Sequence, residues 1–274
     1  MQNEIAYSRP VTLTNILRFA VPTIAMSVFM SFYTMVDGLF VSNLIGTSAL
    51  SALNLVYPVI ALVTAISTML ATGGSAAIMR KMGEGKPDEA KQDFTFLILV
   101  NVLTGLVMCG LGYLFMGKIF GSMSLSPEVS ACCWEYLSRY LLFTVPILLM
   151  NNFTLYMIAA GKASLSLLCS VAGGVTNIVL DPLMIFGIGP FPRMEISGDA
   201  YATGIGQTVT LLVYLGVYAG GSLSVQVSRK KLAWDRKLMI RLYGVGIPAT
   251  LNMALPSVLI SALNGILAGF SQSY

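Results

Sequence analysis

"SLSLLCSVAGGVTNIVLDPLMIFG", Ser164 to Gly187, is long enough and apolar enough to cross a bilayer, yet it carries Asn177, Asp181 and Pro182 in its second half. A helix needs about 20 apolar residues to span a hydrocarbon core of about 30 Å. A carboxylate inside such a span costs about 3 kcal/mol or more, and proline removes a backbone donor. An acid kept under those conditions points to function, provided the whole chain is a membrane protein.

Composition says that it is. Of 274 residues, 56% are hydrophobic and only 10% charged, against about a quarter charged in a soluble domain. There is no histidine, which removes the commonest metal ligand and acid–base residue, and with them zinc hydrolases and Ser-His-Asp enzymes. No GxxxxGK[ST] phosphate loop is present, so direct ATP drive by this chain is not expected. The four cysteines, Cys109, Cys132, Cys133 and Cys169, form no CxxC pair and read as small buried apolar residues.

Seven apolar runs of spanning length follow one another, roughly 16–41, 51–79, 94–116, 132–159, 164–187, 200–222 and 240–270. Their length and continuity argue for helices over the short alternating strands of a barrel. The fold class expected is an all-α polytopic membrane protein. Residues 1–222 form a six-helix transmembrane bundle, 223–239 a basic loop, and 240–274 a seventh helix opening a second lobe. The first run reads as a retained signal-anchor, because it is too long for a cleaved signal.

Lysine and arginine set the expected orientation. With the N-terminus inside, the inner segments hold Arg9, Arg18, Arg80, Lys81, Lys86, Lys91, Lys162, Arg229, Lys230, Lys231, Arg236, Lys237 and Arg241, and the outer ones only Lys118, Arg139 and Arg193. Run one, "AVPTIAMSVFMSFYTMVDGLF", and run seven, "GIPATLNMALPSVLISALNGIL", align Pro22 with Pro248 and Asp37-Gly38 with Asn264-Gly265 after one residue of slippage. That is the pattern of a parallel repeat. The second lobe is then expected to be cut short, since no polar tail follows "GFSQSY".

Of twelve acidic residues, ten fall in loops or near run ends; Asp37 and Asp181 do not. No lysine or arginine of the first six runs sits at matching depth. Such an acid can carry a proton, bind Na+ or hold a cationic ligand; Asp37 could instead cap a helix at the interface. Asn177 and Asp181 are spaced i, i+4, so they share a helix face, either as oxygen donors to one cation or proton network or as a pair locking helices together. Thr203, Gln207 and Thr208 are polar groups on run six, where threonine often bonds its own backbone. Tyr33, Asn54, Tyr57, Asn152, Tyr156 and Gln207 are candidates for the lining of a wet cavity, and the 16 methionines suit a cavity that adapts to varied ligands. Pro22, Pro58, Pro146 and Pro182 mark places where helices bend.

Four segments together resemble one family. "PTIAMSVFMSFYTMVDGLFVSNLIGTSALSALNL", "GGSAAIMRKMGEGKPDEA", "NIVLDPLMIFG" and "GDAYATGIGQT" are similar, in order and spacing, to the multidrug and toxic compound extrusion (MATE) transporters. The resemblance implies two six-helix lobes that rock between inward and outward openings. It implies export of organic cations and drugs coupled to inward H+ or Na+, with no other cofactor and no nucleic-acid partner. By motif position it implies ion coupling at Asp37, Asn177, Asp181 and Thr203, with Na+ at the first three as the one metal to expect, and bending at Pro22. A multi-pass protein of the cytoplasmic membrane, monomeric when full length, is the corresponding expectation. A lipid or lipid-linked oligosaccharide flippase of the same superfamily is the alternative. An intramembrane aspartyl protease is more distant, because "MVDG" and "VLDPL" do not resemble the YD and GxGD patterns of that class.

Overall fold

A computed structural model describes residues 12–44, 47–121, 125–221, 236, 238–252 and 255. Seven helices follow in order: α1 (Leu13–Leu44), α2 (Thr47–Gly83), α3 (Pro87–Gly121), α4 (Pro127–Leu142), α5 (Thr144–Ala159), α6 (Ala163–Phe186) and α7 (Ile196–Ala219). Residues 238–252 are helical as well, and no strand occurs among the described residues. Five of the helices are long and apolar enough to cross a membrane, and α4 with α5 makes a sixth span broken by a 54° bend. The protein is thus the all-α membrane bundle expected; the remainder of run seven lies outside the described residues.

The bend between α4 and α5 has a local cause. Pro146 cannot donate to the carbonyl of Leu142, and its ring crowds that carbonyl. The chain therefore leaves the helix at Phe143, whose N–H turns back to Tyr140 and Leu141, and restarts at Thr144. Proline does not break the other helices: α1 runs unbroken through Pro22, α2 through Pro58 and α6 through Pro182.

Polarity is turned inside out relative to a soluble protein. Leu103, Leu106, Leu114 on α3 and Leu168, Val175, Val179 on α6 are exposed, while Asn101, Asn152, Asn177, Asp181 and Asp199 are buried. In water so much outward apolar surface would be a liability; in lipid it costs nothing. The core is aromatic where α3, α5 and α7 meet: Phe94 packs on Phe153, Tyr156 and Tyr218. Residues 238–252 lie against α2, where the Thr250 hydroxyl donates to the Ala65 carbonyl at 3.3 Å.

Helices α6 and α7 approach closely because small residues line their seam. Gly198, Ala202 and Gly206 recur every four residues on α7, the spacing that lets membrane helices touch backbone to backbone. A Cβ on Gly206 would lie 2.8 Å from the carbonyl oxygen of Gly173 and 3.0 Å from Cβ of Asn177. The connection between them is tied down too. Gly187 ends α6 in the left-handed conformation at φ 71°. Then Met194 N–H donates to the Met184 carbonyl (2.9 Å) and Glu195 N–H to that of Ile185 (3.2 Å). This strap sets the first turn of α7 beside the last turns of α6.

Candidate functional site

Three helices each bring one i, i+4 polar pair to the same place. Helix α1 supplies Tyr33 and Asp37, α6 supplies Asn177 and Asp181, and α7 supplies Asp199 and Thr203. The order along α7 is reversed because it runs antiparallel to α6. Two layers result, one helical turn (about 5.4 Å) apart. One layer holds the three carboxylates, the other the phenol, the amide and the hydroxyl.

In the carboxylate layer, one oxygen from each of Asp37, Asp181 and Asp199 lies within 4.8 Å of the others. Asp181 and Asp199 are buried, at 0% and 1% exposure. In the second layer Asn177, 1% exposed, donates from Nδ2 to Asp181 Oδ1 (3.2 Å) and to Thr203 Oγ1 (3.3 Å). Tyr33 and Thr203 are hydrogen-bonded through their side chains. Thr203 thus faces the site rather than bonding its own backbone, as Thr208 does to Gly204 (2.8 Å). Among the described residues, no hydrogen-bond partner meets Asp37 Oδ1, Asp181 Oδ2, Asp199 Oδ1 or Asn177 Oδ1.

A cavity of about 30 Å³ adjoins the second layer, lined by Met30, Tyr33, Met150, Asn177, Thr203 and Gln207 among others. That volume admits about two waters. Among the described residues, no lysine or arginine lines it. One turn beyond Ser170 and Thr210 of the cavity lining, the Tyr214 hydroxyl meets Ser166 (2.8 Å) and Thr154 (3.0 Å), so polar groups continue down the seam.

Of the residues singled out from sequence, the structure brings together Asp37, Asn177, Asp181, Thr203 and Tyr33, with Gln207 on the adjoining cavity. Asn152 and Tyr156 are not on it: at 2% and 1% exposure they belong to the packed interior. Asn54 and Tyr57 sit on an exposed face of α2, Tyr57 at 60%. Asp199 is among the acids in loops or near run ends, and the structure adds it to the site by burying it in the first turn of α7 beside Asp37 and Asp181. Its signal was nonetheless present, since Asp199 precedes Thr203 by four residues and follows the first small residue of the α7 seam.

A family model described as MatE matches residues 22–183, which include Asp37, Asn177 and Asp181. Among curated relatives, the probable multidrug resistance protein YoeA of Bacillus subtilis is 26% identical, over 92% of this chain and 55% of its own length. The FAD transporter of Shewanella oneidensis is 28% identical over 62% of this chain and 38% of its own. A crystal structure of a MATE protein in complex with MaD3S superposes with a TM-score of 0.83 at 25% identity, covering 92% of this chain and 56% of that one. The chain spans about half the length, or less, of the curated relatives it matches. With more than half of its residues inside the matched model, the chain belongs to the MatE family, whose members are transporters and not enzymes.

Proposed function

We propose that the full-length protein is an antiporter that exports organic cations or drugs across the cytoplasmic membrane, driven by inward H+ or Na+. The observation that carries this reading is the meeting of Asp37, Asn177, Asp181 and Thr203 at the junction of α1, α6 and α7, with no lysine or arginine among the described residues lining the adjoining cavity. Buried acids without a protein counter-charge are a site for a mobile cation. Residues 1–222 act as one lobe, 223–239 as the inter-lobe loop, and 240–274 as the opening of the second lobe. The N-terminus faces the cytoplasm, and the full-length protein works as a monomer in the lipid bilayer.

Alternating access needs a structural response to the ion. Cation arrival at Asp37 and Asp181 relieves repulsion between α1 and α6, which lets the two helices settle closer. Helix α1 can yield at Pro22, where one backbone bond is already missing. The unbroken α1 seen here is one arm of that movement. Cavity chemistry favours a cationic or neutral cargo over an anionic lipid headgroup, because no basic side chain among the described residues lines it.

The test is drug efflux by the full-length protein in vesicles, with pH and Na+ gradients imposed separately. One gradient should drive efflux, and Asp37→Asn or Asp181→Asn should each lower the driven rate by about 100-fold, the scale on which loss of a preorganised charge acts. Ion-driven efflux that survives both substitutions would overturn the reading.

A further inference from the structure

We propose, resting on the transport reading for the role of the acids and the orientation of the chain, that the coupling ion is a proton and that it leaves the acids for the cytoplasm through the interior of the bundle, along a line of hydroxyls ending at Tyr214 and Ser166. The line starts where the Asp37 carboxyl is hydrogen-bonded to those of Asp181 and Asp199. An ionised carboxylate only accepts, so a bond between two carboxyl groups holds a proton. Asn177 joins Asp181 to Thr203, and Thr203 is bonded to Tyr33.

The cavity carries the line onward. Tyr33, Asn177 and Thr203 line it together with Ser170 and Thr210. Asn177 and Ser170 stand two turns apart on α6, as Thr203 and Thr210 do on α7, so the cavity bridges about 10 Å of the seam. Room for about two waters, with polar groups at both ends, is what ordered water requires. Beyond it lies Tyr214. Its hydroxyl is 3.5 Å from Ser170 Oγ, 3.0 Å from Thr154 Oγ1 and 2.8 Å from Ser166 Oγ. A buried phenol needs one partner, and this one has three. With Thr154 and Ser170 donating to its oxygen, its own proton goes to Ser166. Ser166 lies in the first turn of α6, one turn from Lys162, at the end that the basic residues assign to the cytoplasm.

Transfer at each hydroxyl is an exchange. The oxygen takes the arriving proton while its own O–H breaks toward the next oxygen, so one proton enters, one leaves and no other bond changes. The cavity lining is uncharged among the described residues, so the proton is not held there. Na+ has to travel with its shell of oxygens, and space for about two waters is too small for that. Ser166 itself is buried, so the line does not open to water in this state. A line open at both ends would let protons cross without exporting cargo.

The experiment uses the full-length protein in vesicles with ethidium as the organic cation. Efflux driven by a pH gradient is compared with exchange of ethidium for ethidium at equal pH, which needs no net proton movement. Tyr214→Phe removes the hydroxyl and keeps the ring stacked on Phe153. It should slow pH-driven efflux by about tenfold or more, as loss of a positioned proton carrier does, and change exchange by less than about twofold. Ser166→Ala should do the same, and it carries the test if Tyr214→Phe does not fold. Unchanged pH-driven efflux overturns the proposal. So does an equal slowing of efflux and exchange, as a packing role would give. Efflux driven by a Na+ gradient alone overturns it too, while the transport reading stands; efflux driven by neither gradient overturns both.

Discussion

Two buried carboxylate sites in this bundle solve the same electrostatic problem in opposite ways. Asp93, near the start of α3, meets Lys81 near the end of α2 at 2.7 Å, with their side chains only 6% and 12% exposed. Lys81 also reaches Glu89 at 3.5 Å. There the counter-charge is part of the chain and always present. Where α1, α6 and α7 meet, Asp37, Asp181 and Asp199 stand together, and among the described residues no lysine or arginine lines the cavity beside them. The missing positive charge has to come from solution. A carboxylate with a built-in partner ties helices together; one without it responds to what the solution contains.

The comparison breaks if the two sites answer the same substitution in the same way. Asp93→Asn removes one member of a buried pair and leaves Lys81 without its closest partner. Such a loss costs about 3 kcal/mol, so the full-length protein in detergent should unfold at a temperature lower by several degrees. An unchanged unfolding temperature would mean that the pair is not holding α2 to α3.

In the acidic cluster the sign reverses. Replacing Asp181 or Asp199 with asparagine removes one buried acid from a crowded group of three and keeps an oxygen for the hydrogen bonds. In buffer without Na+ or divalent cations, each variant should be more stable than wild type by about 1 kcal/mol. Thermal unfolding in cation-free buffer measures it directly. Added cation should then stabilise wild type more than the variants, because binding to the folded state alone raises its stability. A loss of stability in cation-free buffer would show that the carboxylates are satisfied within the protein, and the comparison would collapse.

The same contrast explains what could be read from sequence. Asp37 and Asp181 stood out because each interrupts a long apolar run, where a charge is costly wherever the helix is placed. Asn177 followed from its spacing to Asp181. Asp199 was hidden because burial there comes from the strap 194–195 folding back on α6, a tertiary event that leaves the local composition looking like a loop. The break at Phe143 was hidden for a different reason: run 132–159 is continuous in hydropathy, and proline inside a membrane helix breaks it only in some contexts, as the unbroken α1 and α6 illustrate. Hydropathy marks polar groups in a span but not which way they face, and Asn152 and Tyr156 lie off the cavity described above. On α5 nearly every side is apolar, so no stripe distinguished core from cavity.

The smallest effect sharpens the comparison from the other side, at a carboxylate that is paired but exposed. Glu84 accepts a 2.8 Å bond from Arg80 Nε, with side-chain exposures of 37% and 61%. Lys86 lies nearby at 3.6 Å. The Arg80 hydrogen bond holds the Glu84 carboxyl below its ordinary value, with the charges of Arg80 and Lys86 adding to it. A folded-state value below the unfolded one means that any stabilisation is fully present above the unfolded carboxylate range. It is lost as pH falls through the folded value. Water and salt screen this pair, so Glu84→Gln should leave the unfolding temperature at neutral pH within error of wild type. Whatever difference exists should shrink further on acidification and in high salt. A clear loss at neutral pH, as large as that of Asp93→Asn, would mean that position in the sequence rather than burial decides what an ion pair is worth here, because Arg80 and Lys81 are adjacent residues whose partners differ chiefly in their access to water.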